Sequence, residues 1–164
     1  SREEGMVRTY LCRMDSGEVE EIYASPYGAY PAVKNADYSK IVLVEGYTMG
    51  DTVAYLWEAG KGSEVLYGKP LAQREEGEEV PLVAFGEGFF TEDEAGVVFA
   101  NAIYQDTYGL AHLPLENPED VTEVPFKGLA HTGVGEFEGF EPLDNGRFLL
   151  KFNIDGASWA YEEE

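Results

Sequence analysis

Cysteine is nearly missing from this chain: Cys12 stands alone among 164 residues. One thiol builds neither an internal disulfide framework nor a thiolate-rich metal site. Within the run Val7–Cys12 it reads as a small apolar residue rather than a nucleophile. Histidine is almost as scarce. His112 and His131 are the two imidazoles, and no His-Glu-x-x-His spacing exists, so a zinc hydrolase lacks its ligands. No metal and no cofactor is expected. Positive charge is also short, with 11 Lys and Arg against 32 Asp and Glu and a formal net charge of −21. Such a surface repels phosphate backbones and anionic headgroups, so nucleic acid and membranes are poor partners and cationic groups good ones. Long hydrophobic runs are absent as well. Ile41–Val44 stops at Glu45 and Val97–Ala100 stops at Asn101, both too short to cross a bilayer as a helix. The start, Ser1-Arg2-Glu3-Glu4-Gly5, is charged and no apolar leader follows it. With the single thiol, that leads to the expectation of a cytoplasmic protein.

What the chain does have is 44% hydrophobic residues, 19 Gly, 8 Pro and 11 Tyr. No long segment has a helical period, and this composition points to β structure around a real core. The sharpest hairpin signal is Asp144-Asn145-Gly146, between Phe140 and Phe148–Phe152; Asp155-Gly156 is a second. Both pairs tolerate the positive φ that tight primed turns need.

Turn and strand then recur at a spacing of about 50 residues. Lys40–Val44, Gly96–Ala100 and Arg147–Lys151 are apolar anchor strands. Each follows an acidic turn: Asp37-Tyr38-Ser39, Glu92-Asp93-Glu94 and Asp144-Asn145-Gly146. Each precedes a loop ending in Asp51, Asp106 or Asp155, which opens the next strand. Asp in that place fixes a bend by accepting backbone N–H bonds, so these three read as structural turn residues. A calcium loop would need oxygen ligands at alternate positions, and that pattern is missing. A short strand precedes each anchor (Ala29–Val33, Phe85–Phe90, Gly135–Phe140), and Ser63–Tyr67 and Asp120–Phe126 supply a fourth. Four strands per repeat is the arrangement of a β-propeller blade. A sandwich of hairpins would not need the Asp-strand repeat. The expectation is therefore an all-β fold of four-stranded antiparallel blades, about three blade equivalents in one partial propeller. Residues 6–23 end one blade, 29–67 and 85–126 are complete blades, and 134–161 begin another.

Catalytic machinery is hard to find. Gly156-Ala157-Ser158-Trp159-Ala160 matches four positions of G-x-S-x-G, but the helix, acid and His that should follow a nucleophile elbow are missing. Ser158 therefore reads as a core-strand residue, and no catalytic residue is assigned. The candidate binding residues are Glu87, Glu136 and Glu138, on the first strands of their blades. Those strands border a propeller's central channel, where converging carboxylates would attract a peptide amine or a Lys or Arg side chain.

Two stretches carry a family likeness. Phe89-Phe90-Thr91-Glu92-Asp93-Glu94-Ala95-Gly96-Val97-Val98-Phe99 resembles the strand–turn–strand signature of propellers in the prolyl oligopeptidase family of serine peptidases. Glu92 replaces the usual Pro, and the turn is one residue longer. Tyr104–Leu115 is similar to the third strand of such blades, and Tol-type and WD-like propellers share the pattern. In the prolyl oligopeptidase family the propeller is non-catalytic and caps an α/β-hydrolase domain, restricting which peptides enter. The resemblance implies a non-catalytic segment that shapes or gates access to a hydrolase domain outside this chain. Its partner would be the remainder of a longer parent chain. The alternative is a stand-alone binding protein whose ring is closed by a second copy.

Overall fold

The structure is a computed structural model and describes residues 5–131, 133, 135–143 and 146–163. They form four antiparallel sheets in which each strand pairs with its neighbour in sequence. The first sheet holds β1 (Val7–Cys12) and β2 (Val19–Ser25). The second runs β3 (Ala29–Lys34), β4 (Lys40–Gly46), β5 (Thr52–Glu58) and β6 (Gly62–Tyr67). The third runs β7 (Gly88–Phe90), β8 (Gly96–Asn101), β9 (Gly109–Pro114) and β10 (Thr122–Val124). The fourth holds β11 (Gly135–Pro142), β12 (Phe148–Ile154) and β13 (Ala157–Glu163). A single 3-10 turn spans Leu71–Gln73. Among the described residues no helix is long and apolar enough to cross a membrane.

Turn chemistry sets these hairpins. Asp155 (φ 52°) and Gly156 (φ 79°) are both left-handed between the paired residues Ile154 and Ala157, the geometry that matches strand twist in a two-residue hairpin. Asp144 and Asn145 lie outside the described residues. The hairpin around them is seen in the Leu143 N–H bond to the Arg147 carbonyl, 2.7 Å, and the pairing of Pro142 with Phe148.

The sheets stack face to face, so their middle strands are buried on both sides. Along β4, Ile41 and Leu43 join Val53, Tyr55, Trp57 and Ile22 of the first sheet in one apolar layer. Val42 and Val44 point the other way, into a layer with Ala54, Leu56, Phe85, Val97 and Phe99. The third layer sets Leu110 of β9 against Phe137, Phe140, Leu150 and Phe152. Double-sided burial explains why β4 and β8 read as continuous apolar runs rather than alternating ones. Polar links stitch neighbouring sheets: Ser63 Oγ donates to the Ile22 carbonyl (2.6 Å), Tyr30 Oη to the Phe85 carbonyl (3.1 Å), and Lys40 pairs with Glu94 (3.0 Å). The strand leading each complete sheet, β3 or β7, is followed outward in chain order, which is how propeller blades are built. The fold is all-β and a partial propeller.

Some local expectations differ. The strand expected over Phe85–Phe90 is regular at Gly88–Phe90 alone, with Gly86 and Glu87 extending the ladder to Ala100 by bonds of 2.8 and 2.9 Å. The strand expected over Asp120–Phe126 shortens to Thr122–Val124, because Pro125 has no N–H to give the ladder. Cys12 and Ser158 are exposed rather than packed. Cys12 pairs with exposed Val19 at the end of a two-stranded sheet, and Ser158 lies on the last strand of its sheet.

Beside β13, His131 stacks on Trp159 with ring centroids 3.4 Å apart, and its backbone N–H donates to the Tyr161 hydroxyl at 3.2 Å. Its Nδ1 meets the same hydroxyl at 2.5 Å. The imidazole thus pins the preceding loop to the strand. His131→Ala is expected to cost about 1–2 kcal/mol, from one aromatic stack and one hydrogen bond. Urea titration checks it; a loss near zero means the loop is held elsewhere.

Candidate functional site

Strand β11 carries a bulge. Its pairing with β12 shifts register between Phe137 and Gly139, leaving Glu138 as the extra residue. Gly139 adopts φ +146°, and a Cβ there would lie 2.5 Å from Glu87 Oε1. At that positive φ a side chain would be strained, and glycine leaves free the space that the tip of the Glu87 side chain occupies. Across the gap, Glu87 Oε1 accepts the Phe140 N–H at 3.3 Å, and Phe137 N–H donates to the Thr107 carbonyl at 3.0 Å. The β8–β9 loop, reaching Tyr108 at φ 61°, closes a third side.

An open concavity of about 640 Å³ results, lined by Glu87, Glu136, Glu138, Tyr108 and Gly139 among others. Its lining holds three carboxylates and no basic side chain. All three glutamates are exposed. The single long bond to Glu87 leaves most of their acceptor capacity open, so the cleft concentrates cations and offers oxygen acceptors to an ammonium or guanidinium.

The three aspartates are placed separately. Asp155 forms the β12–β13 turn described above, and Asp106 is exposed in the β8–β9 loop. Asp51, just ahead of β5, has its carboxylate on Arg74, with bonds of 2.7 and 2.8 Å. Arg74 also donates from Nε to the Lys69 carbonyl at 2.8 Å and lies over the Tyr47 ring at 4.9 Å. This clamp folds the loop between β6 and β7 back onto the second sheet. In the sequence the one signal of this clamp is Arg74, a lone basic residue directly ahead of the acidic stretch Glu75–Glu79.

Ser158 of β13 pairs with Asn153 of β12, and His131 is committed to Trp159 and Tyr161. His112 is half-buried on β9, opposite Val98 and Thr122. Among the described residues no group of three or more His, Cys, Asp or Glu side chains is arranged to hold a metal ion.

Comparison with protein-family models and with curated proteins finds no match. Solved structures give the deciding likeness. The chain is similar to TolB from Acinetobacter baumannii, a β-propeller protein. The TM-score is 0.61 at 14% sequence identity, over 94% of this chain and 34% of that one. The chain thus spans about a third of the TolB chain. At that identity the likeness is one of fold, and it supports a propeller without singling out the prolyl oligopeptidase family.

Proposed function

We propose that this chain is a non-catalytic β-propeller segment whose acidic inner edge receives the cationic part of a peptide, an N-terminal amine or a Lys or Arg side chain. The observation that carries the reading is the placement of Glu87, Glu136 and Glu138 around one concavity with no basic side chain in its lining. The net charge of −21 supports it through long-range attraction of cations. The ring is completed by further sequence or by a second copy of this chain. In its narrower form, the segment shapes access to an α/β-hydrolase domain. That form is supported by the likeness of Phe89–Phe99 and Tyr104–Leu115 to prolyl oligopeptidase propellers.

A short Lys- and Arg-containing peptide is expected to bind the protein in low salt and to weaken as salt rises. The triple variant Glu87→Gln, Glu136→Gln, Glu138→Gln is expected to lose about tenfold or more in affinity, each lost charge–charge contact being modest in an open cleft. Calorimetric titration reads this directly. Equal affinity in wild type and triple variant would remove the site from consideration.

A further inference from the structure

The layer between the third and fourth sheets does not close as the one before it does. In the second–third layer, Phe85 and Phe99 stack at 4.0 Å with both rings buried. In the third–fourth layer, Phe89 stacks on Phe148 at 4.5 Å and meets Phe140 edge-on at 5.4 Å. Beside these rings a cleft of about 400 Å³ stays open, with Leu150 on its wall. That volume falls in the range of small-molecule sites, and its walls are largely apolar. Apolar area left in contact with water forgoes about 25 cal/mol per Å² of stabilisation, which an apolar occupant would recover.

Two charged residues of opposite sign also line this cleft, Lys127 and Glu163. They form no ion pair with each other, nor with any other described residue within 4 Å. Among the described basic residues Lys127 shares this with Arg13 and Lys34, whereas Arg8, Lys40, Lys61, Lys69, Arg74, Arg147 and Lys151 each hold a carboxylate, in a chain where acidic residues far outnumber basic ones. An unpaired cation and an unpaired anion at one apolar cleft suit a ligand carrying both charges. A lone anion would work against the strongly negative field of the whole protein, whereas a zwitterion has no net charge to repel.

We propose that the cleft binds a free α-amino acid with a large apolar side chain. Its side chain lies against the packed rings of Phe89, Phe140 and Phe148, its carboxylate meets Lys127 and its ammonium meets Glu163. The site shares no lining residue with the acidic concavity and does not depend on the peptide reading above.

The test is an NMR titration of the full chain with L-phenylalanine, alongside 3-phenylpropionate and phenethylamine, which each keep one of its two charges. Saturable shifts are expected at the amides of Val98, Leu110 and Lys127, with L-phenylalanine binding more tightly than either analogue. Lys127→Gln and Glu163→Gln, both at the surface and compatible with folding, are each expected to weaken L-phenylalanine about tenfold by removing a charge-assisted bond. Three results would overturn the proposal: no saturable shift at these amides, an analogue that binds as tightly as L-phenylalanine, or unchanged affinity in both variants.

Discussion

Replacing Phe99 with alanine is expected to lower the unfolding free energy by about 4 kcal/mol, within the span for a fully buried phenylalanine. Phe99 has no exposed surface, and it lies flat on Phe85 at an interplanar angle of 8°. Around it stand Val42, Val44 and Leu56 from one sheet and Val97 and Leu113 from the next. Both walls of that layer are hydrogen-bonded ladders, so neither can move in to fill the space, and the cavity term adds to the lost transfer energy. The backbone around Phe85 is tied down as well, its N–H bonded to Thr52 Oγ1 at 2.9 Å. Urea unfolding should show a lower midpoint with an unchanged slope. The exposed aromatic Tyr104, mutated to alanine, should cost well under half as much, about 1 kcal/mol, from the Val121 carbonyl it bonds at 2.8 Å. A small effect at Phe99 would mean that the second and third sheets do not pack as a layer.

The strand repeat was readable because each anchor strand is a compact apolar run between turn residues, and double burial makes such runs continuous. Ile41–Val44 shows the effect in four residues. Residues whose partners come from distant sequence were harder to read. Arg74 acquires its meaning from Asp51 and Tyr47, which reach it only after the β6–β7 loop folds back. Glu45 looks like the polar stop of an apolar strand, yet it is 3% exposed. The repeat put Glu87, Glu136 and Glu138 on first strands; in the structure Glu136 and Glu138 lie on β11 and Glu87 just ahead of β7. The bulge that offsets Glu138, and the positive φ of Gly139 next to the Glu87 carboxylate, follow from strand pairing that no local pattern specifies. Cys12 shows the opposite failure. Its run is apolar in composition, but β1 belongs to a two-stranded sheet, and the bulge between Thr9 and Tyr10 turns part of it outward. The Phe-lined cleft lay beyond reach for a related reason: Phe89 and Phe148 are far apart in the chain and meet only where two sheets face each other.

Glu45 also sets the second large effect, expected above pH 10. Its carboxylate ends β4, where Tyr23 donates to one oxygen at 3.0 Å and Tyr47 to the other at 2.5 Å. The Tyr23 ring packs on Tyr55 with centroids 4.7 Å apart. Burial, reinforced by the bond to Glu45, pushes the Tyr23 phenol from 10.0 up to about 12. Burial raises Tyr47 and Tyr55 too, with the bond to Glu45 adding for Tyr47 and the neighbouring Tyr23 for Tyr55. A phenol held neutral in the folded state but free to ionise in the unfolded one favours folding below its unfolded pKa. That contribution is lost as pH climbs through the folded value. Thermal unfolding should therefore be nearly flat from neutral pH to pH 10, with Tm falling by roughly 5–10 °C as pH approaches 12. Tyr23→Phe removes one of the three phenols and should lessen that decline, even though it starts from a lower Tm because Glu45 has lost a donor. A wild-type Tm that held steady across this interval would mean that the phenols already ionise as they do in the unfolded chain, and that Glu45 is open to water. Glu45→Ala then offers an independent check. With the network intact it strands two phenol hydroxyls and should cost about 2–3 kcal/mol, whereas an open Glu45 could be removed almost without effect.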